Sequence, residues 1–218
     1  MKFLGNPSSG SYREQTYSRN RFGQYVRNRA IPVQPKTPSQ LNQRARFSAS
    51  ASAWRTLTDA QRAGWLSLGG QMTRTDALGQ VYTLNAFAAF CSVNNNRRDA
   101  GDATVNDAPA LVTPETLTSA TVTLTGAAFS IAYTPTPLPA NTRLFIRCSP
   151  QQSAGRTFNG DYRLITVTAA AAASPANILT AYTAKFGVPV TGNKVFISLQ
   201  LYRGGFLGQP LNVAQVVA

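Results

Sequence analysis

Arg13, Arg19, Arg21, Arg27 and Arg29 alternate with Tyr12, Tyr17, Phe22 and Tyr25 near the start of the chain. Guanidinium groups pair with phosphates and carboxylates, and aromatic rings stack on bases or fill apolar grooves. The chemistry this spacing allows is adhesion to something large and negative, not bond making. Tyr17, Arg19, Arg21, Phe22, Tyr25, Arg27 and Arg29 are the candidate partner-binding residues. An assembly arm seated between neighbouring subunits is the preferred reading, and contact with nucleic acid is the alternative.

Other chemistry is hard to assemble from these residues. With no histidine, the commonest general base and metal ligand is missing. Asp99, Asp102 and Asp107 match no calcium-loop spacing, and two separated cysteines, Cys91 and Cys148, do not make a zinc site. Both are expected to be buried free thiols. No phosphate-binding glycine loop or nucleophile elbow occurs, so the expectation is a protein that is not an enzyme and has no cofactor.

Charge sharpens the picture. Fourteen of the 21 Lys/Arg and three of the eight Asp/Glu fall in residues 1–98, a net charge of +11, against +2 for residues 99–218. Residues 1–36 alone carry +6. Charged residues are only 13% of the chain, with small polar residues in their place, a surface suited to packing against other subunits. No stretch reaches the length of a membrane span, and Met1-Lys2-Phe3-Leu4 is cut short by Gly5-Asn6-Pro7, so neither membrane nor export is expected.

Four segments must position these groups. Residues 1–36 read as an extended basic arm with a hairpin turning at Gly23-Gln24, which would set Phe22 opposite Tyr25, Asn20 opposite Arg27 and Arg19 opposite Asn28. Pro32, Pro35 and Pro38 suggest a stiff spacer. Residues 37–101 read as a helical unit. Thr37-Pro38-Ser39-Gln40 and Thr58-Asp59-Ala60-Gln61 are capping boxes, Gly69-Gly70 ends the second helix, 71–82 is loop, and a third helix runs from about Leu84 to Arg98. Trp54 and Trp65 pin the helices as core, a better account than a helix-turn-helix reader of DNA.

Residues 102–114 read as a linker and 115–218 as a β domain. Strands are expected at 120–124, 128–133, 142–148, 162–167, 178–182, 194–203 and 211–217, with 169–173 as loop. The fold class is therefore α+β, ending in an immunoglobulin- or fibronectin-like β-sandwich.

The run Tyr17 to Arg27, the segment Pro32 to Pro38, and Ala53-Trp54-Arg55-Thr56-Leu57-Thr58-Asp59-Ala60-Gln61-Arg62-Ala63-Gly64-Trp65 together resemble uncharacterised proteins of tailed bacteriophages and prophages. These place a Tyr/Arg/Pro arm and a Trp-containing helical pair ahead of a β-sandwich. The resemblance implies a virion structural protein made in the host cytoplasm, most simply capsid-associated as a decoration, cement or minor head protein. A tail or head–tail junction component is a close variant. Its partners would be capsid or connector subunits in a symmetric assembly. A third reading, a sandwich that binds host glycans, requires exposed aromatics such as Phe158, Tyr162 or Phe206 near its loops.

Overall fold

A computed structural model of the chain describes residues 8–76 and 78–218. It is an α+β molecule, with four helices and several antiparallel sheets among the described residues. Packing divides it into two compact units, one ending at Arg44 and the other spanning Ala45–Ala218.

The first unit contains a three-stranded antiparallel meander of β1 (Gly10–Tyr12), β2 (Gln15–Asn20) and β3 (Gly23–Asn28). The β2–β3 hairpin forms, but its turn is Arg21-Phe22, not Gly23-Gln24. The Asn20 side chain accepts a hydrogen bond from the Phe22 N–H at 2.9 Å, and Gly23 closes the turn at φ 111°. An Asx turn followed by a glycine that tolerates positive φ outcompetes a turn with glycine in its first central position. Arg19 therefore pairs with Gln24 and Thr16 with Arg27. The turn moves by two residues, an even number, so every side chain keeps the face the expected register gave it. Residues 29–37 contain no helix or strand.

Helix α1 (Pro38–Thr56) opens on the expected reciprocal cap. The Gln40 N–H donates to Thr37 Oγ1 at 3.4 Å, and the Thr37 N–H to Gln40 Oε1 at 3.3 Å. From Ala45 onward α1 belongs to the second unit.

There, α2 (Asp59–Gln71) starts on the Thr58/Gln61 capping box. It does not stop at Gly69-Gly70. Both glycines lie inside the helix because Gly69 faces the chain crossing it: a Cβ there would lie 2.5 Å from the Leu84 carbonyl oxygen. The expected loop beyond is a small hairpin, β4 (Thr73–Thr75) with β5 (Val81–Thr83), whose connection is held by the Asp76 carboxylate accepting from the Leu78 and Gln80 N–H groups at 2.8 Å. Helix α3 (Ala86–Ala100) is capped by Asn85 and ended by left-handed Gly101. Trp65, Leu68, Phe90 and Val93 form its core with Leu57, and Trp54 packs on Phe87 and Phe90.

The strands follow as β6 (Ser119–Leu124), β7 (Phe129–Thr134), β8 (Thr142–Cys148), β9 (Gln152–Ser153), β10 (Arg163–Val167), β11 (Ala176–Asn177), β12 (Asn193–Arg203), β13 (Phe206–Leu207) and β14 (Leu211–Val216). One sheet runs β10-β8-β12, with β9, β13 and β14 also on β12. The other runs β11-β7-β6. Val195, Ile197, Leu199 and Leu201 of β12 and Leu144, Ile146 and Cys148 of β8 share one core with Val122, Leu124, Phe129, Ile131 and Tyr133 of the second sheet.

The strand expected at 178–182 is instead α4 (Leu179–Phe186). Ile178, Leu179, Tyr182 and Phe186 all meet the core; a helix brings i, i+1, i+4 and i+8 to one side, whereas a strand would turn Leu179 to the opposite face.

Candidate partner interface

The N-terminal sheet gathers six of the seven expected contact residues and sorts them by strand parity. Directly paired residues share a face, so Tyr12, Tyr17, Arg19 and Val26 stand on one side, while Thr16, Ser18, Tyr25 and Arg27 stand on the other. Arg21 and Phe22 form the hairpin tip, where the Arg21 guanidinium lies 4.6 Å from the centre of the Phe22 ring. Phe22 is 67% exposed. Arg29 lies just past β3, its N–H donating to the Glu14 carbonyl at 2.6 Å. The seven residues therefore make no single basic face. Arg19 and Arg27 point to opposite sides of a thin sheet.

No residue from 8 to 44 is buried. A three-stranded sheet needs an apolar face or a packed partner to be stable in water. Here the aromatic residues are spread over both faces, and no described residue on either face is buried. Tyr17 does make one local bond, its hydroxyl donating to Gln15 Oε1 at 2.8 Å on the same face.

In the second unit the acidic residues considered for metal binding each serve a separate partner. Asp99 pairs with Arg46 at 2.5 Å, and Asp107 accepts from the Gln61 side chain at 3.0 Å. Asp102 takes the Arg143 guanidinium on one oxygen at 2.9 Å and the Tyr202 hydroxyl on the other at 2.6 Å. Burial, together with this bond to a carboxylate, pushes the Tyr202 pKa up. Arg143 also donates to the Ala100 carbonyl.

These contacts fasten the end of α3 to the outer face of the β10-β8-β12 sheet, where Ala100, Phe145 and Tyr202 form a small core of their own. Asn96 and Arg97 of α3 donate to the carbonyls of Gly205 and Gly204 in the β12–β13 turn at 2.8 and 3.5 Å. The expected linker residues 102–114 contain no helix or strand, yet they are tied down. Asn94 and Val105 exchange two hydrogen bonds at 2.8 and 3.1 Å, and the Trp65 indole donates to the Asn106 carbonyl at 2.7 Å.

The two cysteines are free thiols. Cys148 is fully buried and its pKa is pushed up to about 12 by that burial, whereas Cys91 is only half-buried. No helix among the described residues is long and apolar enough to cross a membrane.

The Asp102 hub joins residues 41 and 100 positions apart, and no local pattern in the sequence announces such a pairing. Of the aromatics considered as exposed ligand binders, Phe206 lies in the helical core, while Phe158 and Tyr162 lie beside a surface cleft. Comparison with family models, with curated proteins and with solved structures returns no match.

Proposed function

We propose that this chain is a bacteriophage virion structural protein, associated with the capsid as a decoration, cement or minor head protein and anchored by its basic N-terminal sheet. The observation that carries the reading is that no described residue of that sheet is buried, although it holds Tyr12, Phe22, Tyr25 and Val26. Such a surface is completed by a partner. Arg19 and Arg27 on opposite faces favour insertion between two neighbouring subunits over one-sided tracking of a phosphate backbone. The partners would be capsid or connector subunits in a symmetric assembly, and the protein would be made in the host cytoplasm. Nothing in the reading calls for catalysis or a cofactor.

The second unit supports a spacing or bridging role. Setting aside the β4–β5 hairpin, β9 and β13, its strands divide as first, second and fifth in one sheet and fourth, third, sixth and seventh in the other. That is close to the division of immunoglobulin- and fibronectin-type sandwiches, with α4 occupying the connection between the fifth and sixth strands. Sandwiches of this kind hold loops apart without dictating an activity.

The hairpin tip favours one other reading. Arg21 stacked on the exposed Phe22, with Arg19 nearby, is a combination that also takes a single-stranded nucleic acid. Quantitative mass spectrometry of gradient-purified particles, before and after mild release of the genome, separates the two. Retention of many copies on emptied heads is the expected result; loss with the released DNA makes the sheet a phosphate binder. A variant with Arg19, Arg21, Arg27 and Arg29 all changed to alanine should fold but fail to join the particle.

A further inference from the structure

The outer face of β12 is covered by α3 near Tyr202 but not near Phe196, where the loop between β9 and β10 folds over the sheet. Between loop and sheet lies an open cleft of about 340 Å³, lined by Thr157, Phe158, Asn159, Tyr162, Phe196 and Asn212 along with Val213 and Ala214 of β14. Its size is at the lower end for small-ligand sites. Phe158 is 73% exposed, its ring resting above Gly160, so this large apolar group is committed to the cleft rim and not to the core. Phe196, 6% exposed, lies on the opposite side of the β12 strand from the core-facing Val195 and Ile197.

The polar groups are unusual in what they lack. Asn159 is 4% exposed and accepts from Gln152 Nε2 at 2.7 Å, yet its own Nδ2 and the Gln152 Oε1 have no partner. Exchanging oxygen and nitrogen in both amides restores the same bond and leaves one donor and one acceptor still unmatched. Both atoms are enclosed behind the cleft wall, where a small bound group such as a water would complete them. The cleft lining carries no charged side chain. Charges stand behind the lining: the Arg156 guanidinium donates to the Phe158 carbonyl at 2.9 Å, Lys194 donates to the Arg156 carbonyl at 3.0 Å and lies 5.5 Å from the Phe196 ring centre, and Arg163 pairs with Asp161 at 3.1 Å.

Aromatic rings, side-chain amides and hydroxyls around an uncharged cleft fit a ligand with a flat C–H face and several hydroxyls. We propose that this cleft is a subsite for a neutral pyranose sugar, stacked on Phe158 and Tyr162, with its hydroxyls bonding to the Asn212 amide and to Thr157. The proposal is independent of the N-terminal sheet and of what that sheet binds.

Saturation-transfer NMR on the full-length protein tests it, using methyl glucosides, methyl galactosides, N-acetylglucosamine, maltose, lactose and, as the charged control, sialic acid. Saturable binding of at least one neutral sugar is expected, weakened roughly tenfold by Phe158→Ala and less by Tyr162→Phe, with melting temperatures unchanged. Phe158 is exposed and Tyr162→Phe removes only a hydroxyl, so both variants should fold. Absence of saturable binding across the neutral panel, binding of sialic acid alone, or equal binding by Phe158→Ala would each overturn the proposal.

Discussion

Asp102 shows how much one carboxylate can hold in place. It joins Arg143 of β8 and Tyr202 of β12 to the segment leaving α3, and removal of its charge leaves Arg143 half-buried with only the Ala100 carbonyl to face. Asp102→Asn should cost about 2 kcal/mol in urea unfolding. Cys148 gives a pH signature. Its thiol pKa rises from 9.0 unfolded to about 12 folded, so the native state binds this proton more tightly than the unfolded chain does. Stability is complete below about pH 9 and is lost as pH climbs toward 12, at about 1.4 kcal/mol per pH unit for each such proton. Tyr182 and Tyr202, also shifted upward mainly by burial, act in the same direction at higher pH. Denaturation midpoints measured from pH 7 to 11 should be level at first and then fall, and Cys148→Ala should make the fall less steep.

At the scale of elements, Gly69 and Gly70 form a matched pair for testing. Gly70 has open space where a Cβ would go, and Gly70→Ala should stabilise α2 by about 0.5–1 kcal/mol. Gly69→Ala would press into the Leu84 and Asn85 backbone and should destabilise by about 1–3 kcal/mol. Chemical denaturation of the two variants checks both signs. The same dipeptide explains where the sequence misleads. Two glycines read as a helix end, because the Leu84-Asn85 link between β5 and α3 that crosses Gly69 lies beyond any local window. Capping boxes were legible, since Thr37/Gln40 and Thr58/Gln61 act over three residues. The strands at 120–124, 142–148 and 194–203 were legible through their apolar alternation, and the structure places them within a residue of those limits. Ile178–Tyr182 was not, because 178, 182 and 186 share a face in either state, and only the packing of Leu179 beside Ile178 against the same core decides for a helix. At the candidate interface the hairpin was legible, but not the turn position, which depends on the Asn20 side chain, nor the third strand, β1.

The whole molecule joins a sheet with no buried residue to a second unit whose helices and strands are bound into one body. Deleting residues 1–36 keeps Thr37 to cap α1, and none of the described residues 8–36 is buried, so the thermal midpoint should stay within a degree or two of the full chain. A marked drop would mean that the N-terminal sheet contributes to the stability of the rest.

Gly205 carries a consequence for descent. Its φ of 107° and the 2.5 Å separation between a would-be Cβ and Val93 Cγ1 leave room for no other residue while α3 lies on the β12–β13 turn. Drift can rewrite the open cleft rim and the two faces of the N-terminal sheet without disturbing the body. It cannot rewrite this position alone. A diverged descendant that keeps α3 against the sheet should still carry glycine just after its longest strand, long after its arginines and tyrosines have ceased to align.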